Sequence, residues 1–187
     1  QGVRRMWNKS ALYREATHVP MVVAGPGVPE NHLCHTHVNL IDVAPTVLAN
    51  AGLPPDKDLP GRSLVELAHS PHDSQRLGFS EYHAVGSPSA AYMLRQDRWA
   101  YHHYVGYPAE LFDIINDPGQ ATNLASSVTH QEVCRYFEKI LRQQLDPEAV
   151  DQQAKEDQDR LVEKFGGREK ALKMGTPGAS PVPCRTL

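Results

Sequence analysis

Residues 91–114 read AYMLRQDRWAYHHYVGYPAELFDI. Two short runs rich in aromatic side chains, AYMLR and RWAYHHY, meet at Gln96-Asp97, and ELFDI follows before the turn-forming Asn116-Asp117-Pro118-Gly119. Runs of this kind separated by two residues predict a hairpin, so an antiparallel meander is expected here, with its first turn at Gln96-Asp97. RLGFSEYH, residues 76–83, supplies a further short strand.

Toward the C-terminus the period changes. Thr129-His130-Gln131-Glu132 reads as a capping box, and Val133, Phe137, Ile140, Leu141 and Leu145 recur behind it at helical spacing. A helix packed on the sheet is the expectation. Asp146-Pro147-Glu148 starts a second helix, with a capping acid and proline at the first position. It carries Val150, Ala154, Leu161, Val162 and Phe165, and Gly166-Gly167 stops it; its middle, QQAKEDQD, is too polar for a core. Residues 166–187 read as an extended, proline-containing tail.

Toward the N-terminus, Val19–Ala24 is short, apolar and valine-rich and ends at Gly25-Pro26-Gly27, the pattern of a buried strand meeting a turn. In VNLIDVAPTVLANAG, Asp42 is placed to cap a helix that tolerates Pro45 in its first turn and stops at Gly52. SLVELAH adds a short helix before the Ser/Pro/His stretch at positions 70–75. These breaks divide the chain into residues 1–72, 73–165 and a tail, 166–187.

The 187 residues, 40% of them hydrophobic, suffice for one ordinary domain or two small ones. With 19 Lys plus Arg against 22 Asp plus Glu, the net charge of −3 gives no reason to expect nucleic acid as a partner. No stretch approaches the roughly 20 apolar residues of a spanning helix, and no leader pattern precedes Val19, so no membrane partner is expected. Cys34, Cys134 and Cys184 are odd in number and widely spaced, which suits a reducing compartment and a cytoplasmic protein; a periplasmic one stays open.

Self-sufficient catalytic motifs are absent: there is no Walker A loop, no G-x-S-x-G elbow, no H-E-x-x-H and no paired C-x-x-C. His32-Leu33-Cys34-His35-Thr36-His37 is either a polar loop or a stretch whose His35 and His37 share one side of an extended chain as soft ligands. No second ligand pair stands at a recognisable spacing, and no metal site is expected in this chain. His83 and the pair His102-His103 fall on or near predicted strands, flanked by Tyr101, Tyr104 and Tyr107, an arrangement that serves sheet packing as well as a small polar ligand. By itself Lys9 reads as a solvated charge.

Residues 7–27, W-x-K-S-x-L-Y-x-E-x-x-x-V-P-x-V-V-x-G-P-G, resemble the segment of type I sulfatases that follows their Asp-His-Gly metal-binding stretch. NLIDVAPTVLANAGLP (39–54), GRSL (61–64), RQDRWAYHHY (95–104) and ELFDIINDPGQATNLA (110–125) are similar to later blocks of that family, in the same order. The HYVGYP loop and the D-P-E-A-V second helix bring choline-sulfatase-like and arylsulfatase-like enzymes nearest.

The resemblance implies an α/β chain forming the C-terminal part of an alkaline-phosphatase-like sulfatase fold. It would comprise the end of the large α/β domain plus a small antiparallel sheet with flanking helices. It implies sulfuric ester hydrolysis of a small sulfate ester in a longer enzyme, with a divalent cation, Ca²⁺ or Mg²⁺, that this chain alone would not hold. Lys9 matches the family lysine that contacts the sulfate group. His18, His83 and His103 are the implied substrate-binding candidates, His18 standing where many relatives carry arginine. The sequence departs from the family in having no C-x-P-S-R motif for the formylglycine nucleophile, and GVRRM at 2–6 where Asp-His-Gly belongs. The chain is therefore expected to be inactive when isolated. Phosphonate and phosphate monoester hydrolases share these downstream blocks and form the alternative, as does a non-catalytic remnant that associates with a subunit. A homo-oligomer through the second helix and tail is a further expectation.

Overall fold

A computed structural model describes residues 10–54, 56–83 and 87–174. Strands β1 (Gly78–Tyr82), β2 (Ala91–Gln96), β3 (Trp99–Tyr104) and β4 (Tyr107–Asp113) form a four-stranded antiparallel sheet in sequential order. The expected meander is present. Its first turn lies one residue later than expected, at Asp97-Arg98, because Gln96 pairs with Trp99. Gln96 is held in the strand by its buried amide, which donates to the Gln75 carbonyl at 2.6 Å and accepts from the Tyr136 hydroxyl at 2.9 Å. Asp97 then takes the left-handed position at φ 48°, which a short polar side chain tolerates.

The helices in chain order are α1 (Arg14–Thr17), α2 (Val43–Asn50), α3 (Leu64–His69), α4 (Gln131–Gln144), α5 (Pro147–Lys164) and α6 (Arg168–Met174). The apolar face of α4 covers one side of the sheet: Phe137 and Leu141 bury themselves against Tyr92, Leu94, Tyr101 and Leu111. The expected capping box does not form. A 3₁₀ turn over Val128–His130 feeds into α4, and the Thr129 hydroxyl pairs with Ser127 and His130 instead of a helix amide. At α5 the sequence signal holds, since Asp146 accepts from the Glu148 and Ala149 amides at 3.1 and 3.0 Å with Pro147 at the first position. Asp151, on the same helix, accepts from the Ala90 amide at 2.7 Å and so ties α5 to the start of β2. The segment expected to be an extended tail is helical over Arg168–Met174, after Gly166-Gly167 has interrupted α5; residues 175–187 lie outside the described residues.

Val19–Ala24 does not form the expected buried strand. It has no strand neighbour among the described residues, and Val19 and Val22 are 59% and 88% exposed. A strand is stable only where its amides and carbonyls are paired with a neighbouring strand, and among the described residues no strand pairs with these; the Val19 amide turns back to the Thr17 carbonyl at 3.1 Å instead. α2 forms as expected and ends in a Schellman pattern, Leu53 N–H to Leu48 C=O and Gly52 N–H to Ala49 C=O, with Gly52 at φ 70°.

Asp42 does not cap α2. Its carboxylate is fully buried and accepts from the Asn39 amide (2.8 Å), the Arg62 amide (2.8 Å) and the Arg76 guanidinium (2.6 Å), joining three separate segments. Removing one partner of such a pair leaves the other charge uncompensated. Asp42→Ala is expected to cost about 3–5 kcal/mol in denaturant unfolding; a loss below about 1 kcal/mol would show that water takes over the role of the carboxylate.

The uncovered side of the sheet is closed near its β3–β4 end by residues 12–18. Leu12 packs on Ala91 and Met93, and the Tyr13 hydroxyl lies 2.9 Å from both carboxylate oxygens of Glu110. Tyr104 donates to the same carboxylate at 2.9 Å, and His102, fully buried, places Nδ1 3.4 Å from it. The Tyr13 and Phe112 rings meet His102 edge-on. Burial works to raise the Glu110 carboxyl, but the hydrogen bonds from His102, Tyr104 and Tyr13 outweigh it and hold the group below its ordinary value. A carboxyl lowered in the folded state contributes stability that is complete above its ordinary value of 4.5 and is lost as pH falls through the lowered value. Glu110→Gln should therefore lower the thermal midpoint at pH 7 and narrow the gap to the parent chain below about pH 4. A gap that stays constant with pH would remove Glu110 from the linkage.

Candidate functional site

On the side of the sheet away from α4, β2 presents Ala91, Met93 and Arg95, with Gly78 of β1 paired opposite Arg95 and placing no side chain beside it. Residues 16–41 run across this strip and enclose with it a groove of about 1330 Å³. Its walls are largely apolar, including Val19, Met21 and Met93, and its polar lining includes His18, His37 and Arg95.

His18 and His37 are each set by a local bond. Arg14 donates from Nε to His18 Nδ1 at 3.1 Å, which makes Nδ1 an acceptor and leaves the ring proton on Nε2. Burial lowers the His18 pKa, and Arg14 and Arg95 lower it further, so the ring is neutral at pH 7. His37 lies with Nε2 3.2 Å from the Asp97 carbonyl oxygen, which requires a donor at Nε2. Its pKa is lowered chiefly by burial, with Arg95 and His72 adding to the effect. Arg95 is also lowered, first by burial and then by Arg14, and it remains a cation. Its Nε is buried with no hydrogen-bond partner, and no carboxylate among the described residues forms an ion pair with it. The arrangement is thus a cationic donor set in an apolar-walled groove.

The other histidines expected to bind substrate lie elsewhere. His103 stands opposite Tyr92 in the ladder, on the α4 side, with Nδ1 3.0 Å from Glu138, which also accepts from the Tyr101 hydroxyl at 2.8 Å. His83 follows β1, with Nε2 3.2 Å from Glu81 and its ring edge-on to Tyr92. His18 is therefore separated by the sheet from His83 and His103, and the three do not converge. Buried Tyr92, between these two rings, has its hydroxyl pushed up to about 12, first by burial and then by Glu81. Lys9 lies outside the described residues.

The residues 32–37 stretch is not gathered around a common point. His35 is exposed, His37 turns toward Asp97, and the Cys34 thiol donates weakly to the Leu67 carbonyl at 3.7 Å. Among the described residues no group of three or more His, Cys, Asp or Glu side chains could hold a metal ion. The residues described here do not fit the divalent cation that the sulfatase resemblance implies. Sequence reading overlooked Arg95, Tyr13 and Glu110, although each stands inside a block that carries the resemblance.

Comparison with known proteins agrees with this architecture. The family model "N-sulphoglucosamine sulphohydrolase, C-terminal" matches residues 2–147. Arylsulfatase K of Danio rerio is 34% identical over 154 residues, which cover 78% of this chain and 29% of the relative. A solved 2-O GAG sulfatase is 26% identical, with a TM-score of 0.54 over 72% of this chain and 29% of that one. The phosphonate monoester hydrolase of Silicibacter pomeroyi, 24% identical with a TM-score of 0.61 over 73% of this chain and 31% of that one, shares the fold. The chain spans less than a third of the length of these relatives. With the family model covering both the residues 10–41 arm and the four-stranded sheet beneath it, the chain belongs to the N-sulphoglucosamine sulphohydrolase C-terminal family, the C-terminal region of sulfatases with the alkaline-phosphatase-like fold.

Proposed function

We propose that this chain works as the C-terminal portion of a sulfatase that hydrolyses a small sulfate ester. The observation that carries the reading is the family match over residues 2–147, which begins upstream of Lys9 and runs through the sheet. In that reading the Lys9 ammonium neutralises charge growing on the sulfuryl oxygens and the leaving oxygen, interactions that strengthen in the transition state. His18, neutral and with a proton on Nε2, can donate a hydrogen bond to a substrate in the groove it lines. The resemblance implies His83 and His103 alongside it; their packing on Tyr92, across the sheet, supports His18 in preference to them.

The Ca²⁺ or Mg²⁺ belongs, in this proposal, to residues of a longer protein, where a hard cation would polarise the sulfuryl oxygens. The likeness to a phosphonate monoester hydrolase is one of fold and does not favour that chemistry. Self-association through the C-terminal helices is supported by Leu161, Phe165 and Leu172, which are 53%, 48% and 70% exposed. A reducing, cytoplasmic setting is supported by the free thiols of Cys34 and Cys134. No helix among the described residues is long and apolar enough to cross a membrane.

The test is turnover of an aryl sulfate with added Ca²⁺, by this chain alone and by the product of its gene extended upstream through a C-x-P-S-R motif. Activity is expected only in the longer product. There Lys9→Ala should lower turnover about 100- to 1000-fold with the unfolding midpoint unchanged; unaltered turnover would return Lys9 to a solvated charge.

A further inference from the structure

α1 is a single turn of four residues, too short to hold its own place, because a first helical turn fixes several residues for one hydrogen bond. It has no cap of its own either, since Tyr13 at the N-cap makes no side-chain capping bond. Two side chains from the far end of the chain hold it instead. Gln120, only 3% exposed, accepts from the Arg14 amide at 2.7 Å and so satisfies one of the orphan donors of the turn. Glu110 accepts from the Tyr13 hydroxyl at 2.9 Å.

Gln120 is itself fixed to the sheet. Its amide donates to the Asp117 carbonyl at 2.9 Å, the Asp117 carboxylate accepts from the Thr122 amide at 2.8 Å, and the Asp117 amide returns to the Asp113 carbonyl at the end of β4 at 2.7 Å. The residue sits at φ 50°, a left-handed backbone that a side chain of this kind adopts only where its surroundings impose it. The turn after β4 thus carries a buried amide oxygen to one defined point, the start of the arm.

We infer that Gln120 and Glu110 are positioning residues for sulfate-ester hydrolysis, acting through Lys9, an inference that rests on the sulfatase reading above. Lys9 stands four residues before Tyr13, a separation that a fully extended chain spans in about 14 Å. Anchoring Tyr13 and Arg14 to the sheet therefore bounds the volume in which the ammonium works. Neither positioning residue touches the reacting group; each acts by where it puts the arm. Placement matters at this scale, since an error of about 1 Å can cost about 100-fold in rate.

The test is a mutant cycle in the upstream-extended product, on an aryl sulfate with added Ca²⁺. Gln120→Ala should lower kcat about 10- to 100-fold with KM within about twofold. Gln120→Glu, whose carboxylate still accepts from the Arg14 amide, should keep most of the parent rate. Tyr13→Phe, which removes the hydroxyl and keeps the ring against His102 and Phe112, should lower kcat as well. Added to Lys9→Ala, either change should cost less than about twofold more, because groups that act as one unit are not additive. Losses that multiply in full, or an unchanged kcat in Gln120→Ala where Lys9→Ala is impaired, overturn the inference and leave the sulfatase reading standing. A longer product without turnover, or one whose kcat survives Lys9→Ala, overturns both. In the 187-residue chain alone, hydrogen exchange at the amides of residues 11–18 should quicken in Gln120→Ala while β2 and β3 keep their parent rates. Quickening throughout the sheet would make Gln120 a general stabiliser and would also overturn the inference.

Discussion

Tyr92 and Leu94 point from β2 toward α4 while Ala91 and Met93 point the other way, and all four are buried. A strand that is apolar on both faces cannot lie at a water boundary, so the sheet must be covered twice. The amphipathic face of α4 supplies one cover, with Phe137 and Leu141 as its centre. The other comes from the N-terminal arm, where Leu12 closes over Ala91 and Met93. Each such buried side chain is worth about 1.5–3 kcal/mol, enough to hold a short arm that carries only one turn of helix.

That arm is aligned by polar groups. Glu110 accepts from Tyr13 and Tyr104 and faces His102, so a sheet position and an arm position nearly a hundred residues apart share one carboxylate. The Arg14 amide adds a 2.7 Å bond to the Gln120 side chain. Asp42 does the equivalent for the region before the sheet, gathering Asn39, Arg62 and Arg76. Both carboxylates are satisfied by donors from distant segments. The Arg95 guanidinium is the contrasting case, a charge placed in a groove with no acid of the described chain to receive it.

The position of the arm bears on the family reading. The block that resembles the sulfate-contacting segment of sulfatases passes through Leu12 and Tyr13, the two residues that fasten the arm to the sheet. The groove beside it is bordered by exposed apolar side chains, Val19, Leu33 and Leu40 among them, a patch of the kind that marks a contact surface. The chain spans less than a third of its relatives' length, and in the proposed reading the rest of the site lies on residues of a longer protein.

The strands, the α4 and α5 helices and the glycine stops were legible in the residues, because each depends on local periodicity or on a cap within a few positions: Phe137 and Leu141 on one helix face, Asp146 ahead of Pro147, Gly52 at a left-handed turn. The family was legible as ordered blocks. What the residues could not disclose was which side chains meet across long separations. Asp42 looks like a cap until Arg76 is seen beside it, Gln96 looks like a turn residue until Tyr136 and Gln75 claim its amide, and Val19–Ala24 looks like a buried strand although no described neighbour pairs with it. The three candidate histidines were indistinguishable along the chain; only the pleat of the sheet separated His18 from His83 and His103. Local structure follows from bonds within a turn or a strand, whereas the site depends on which face each side chain takes and on what arrives opposite it, and that is decided only when the sheet closes.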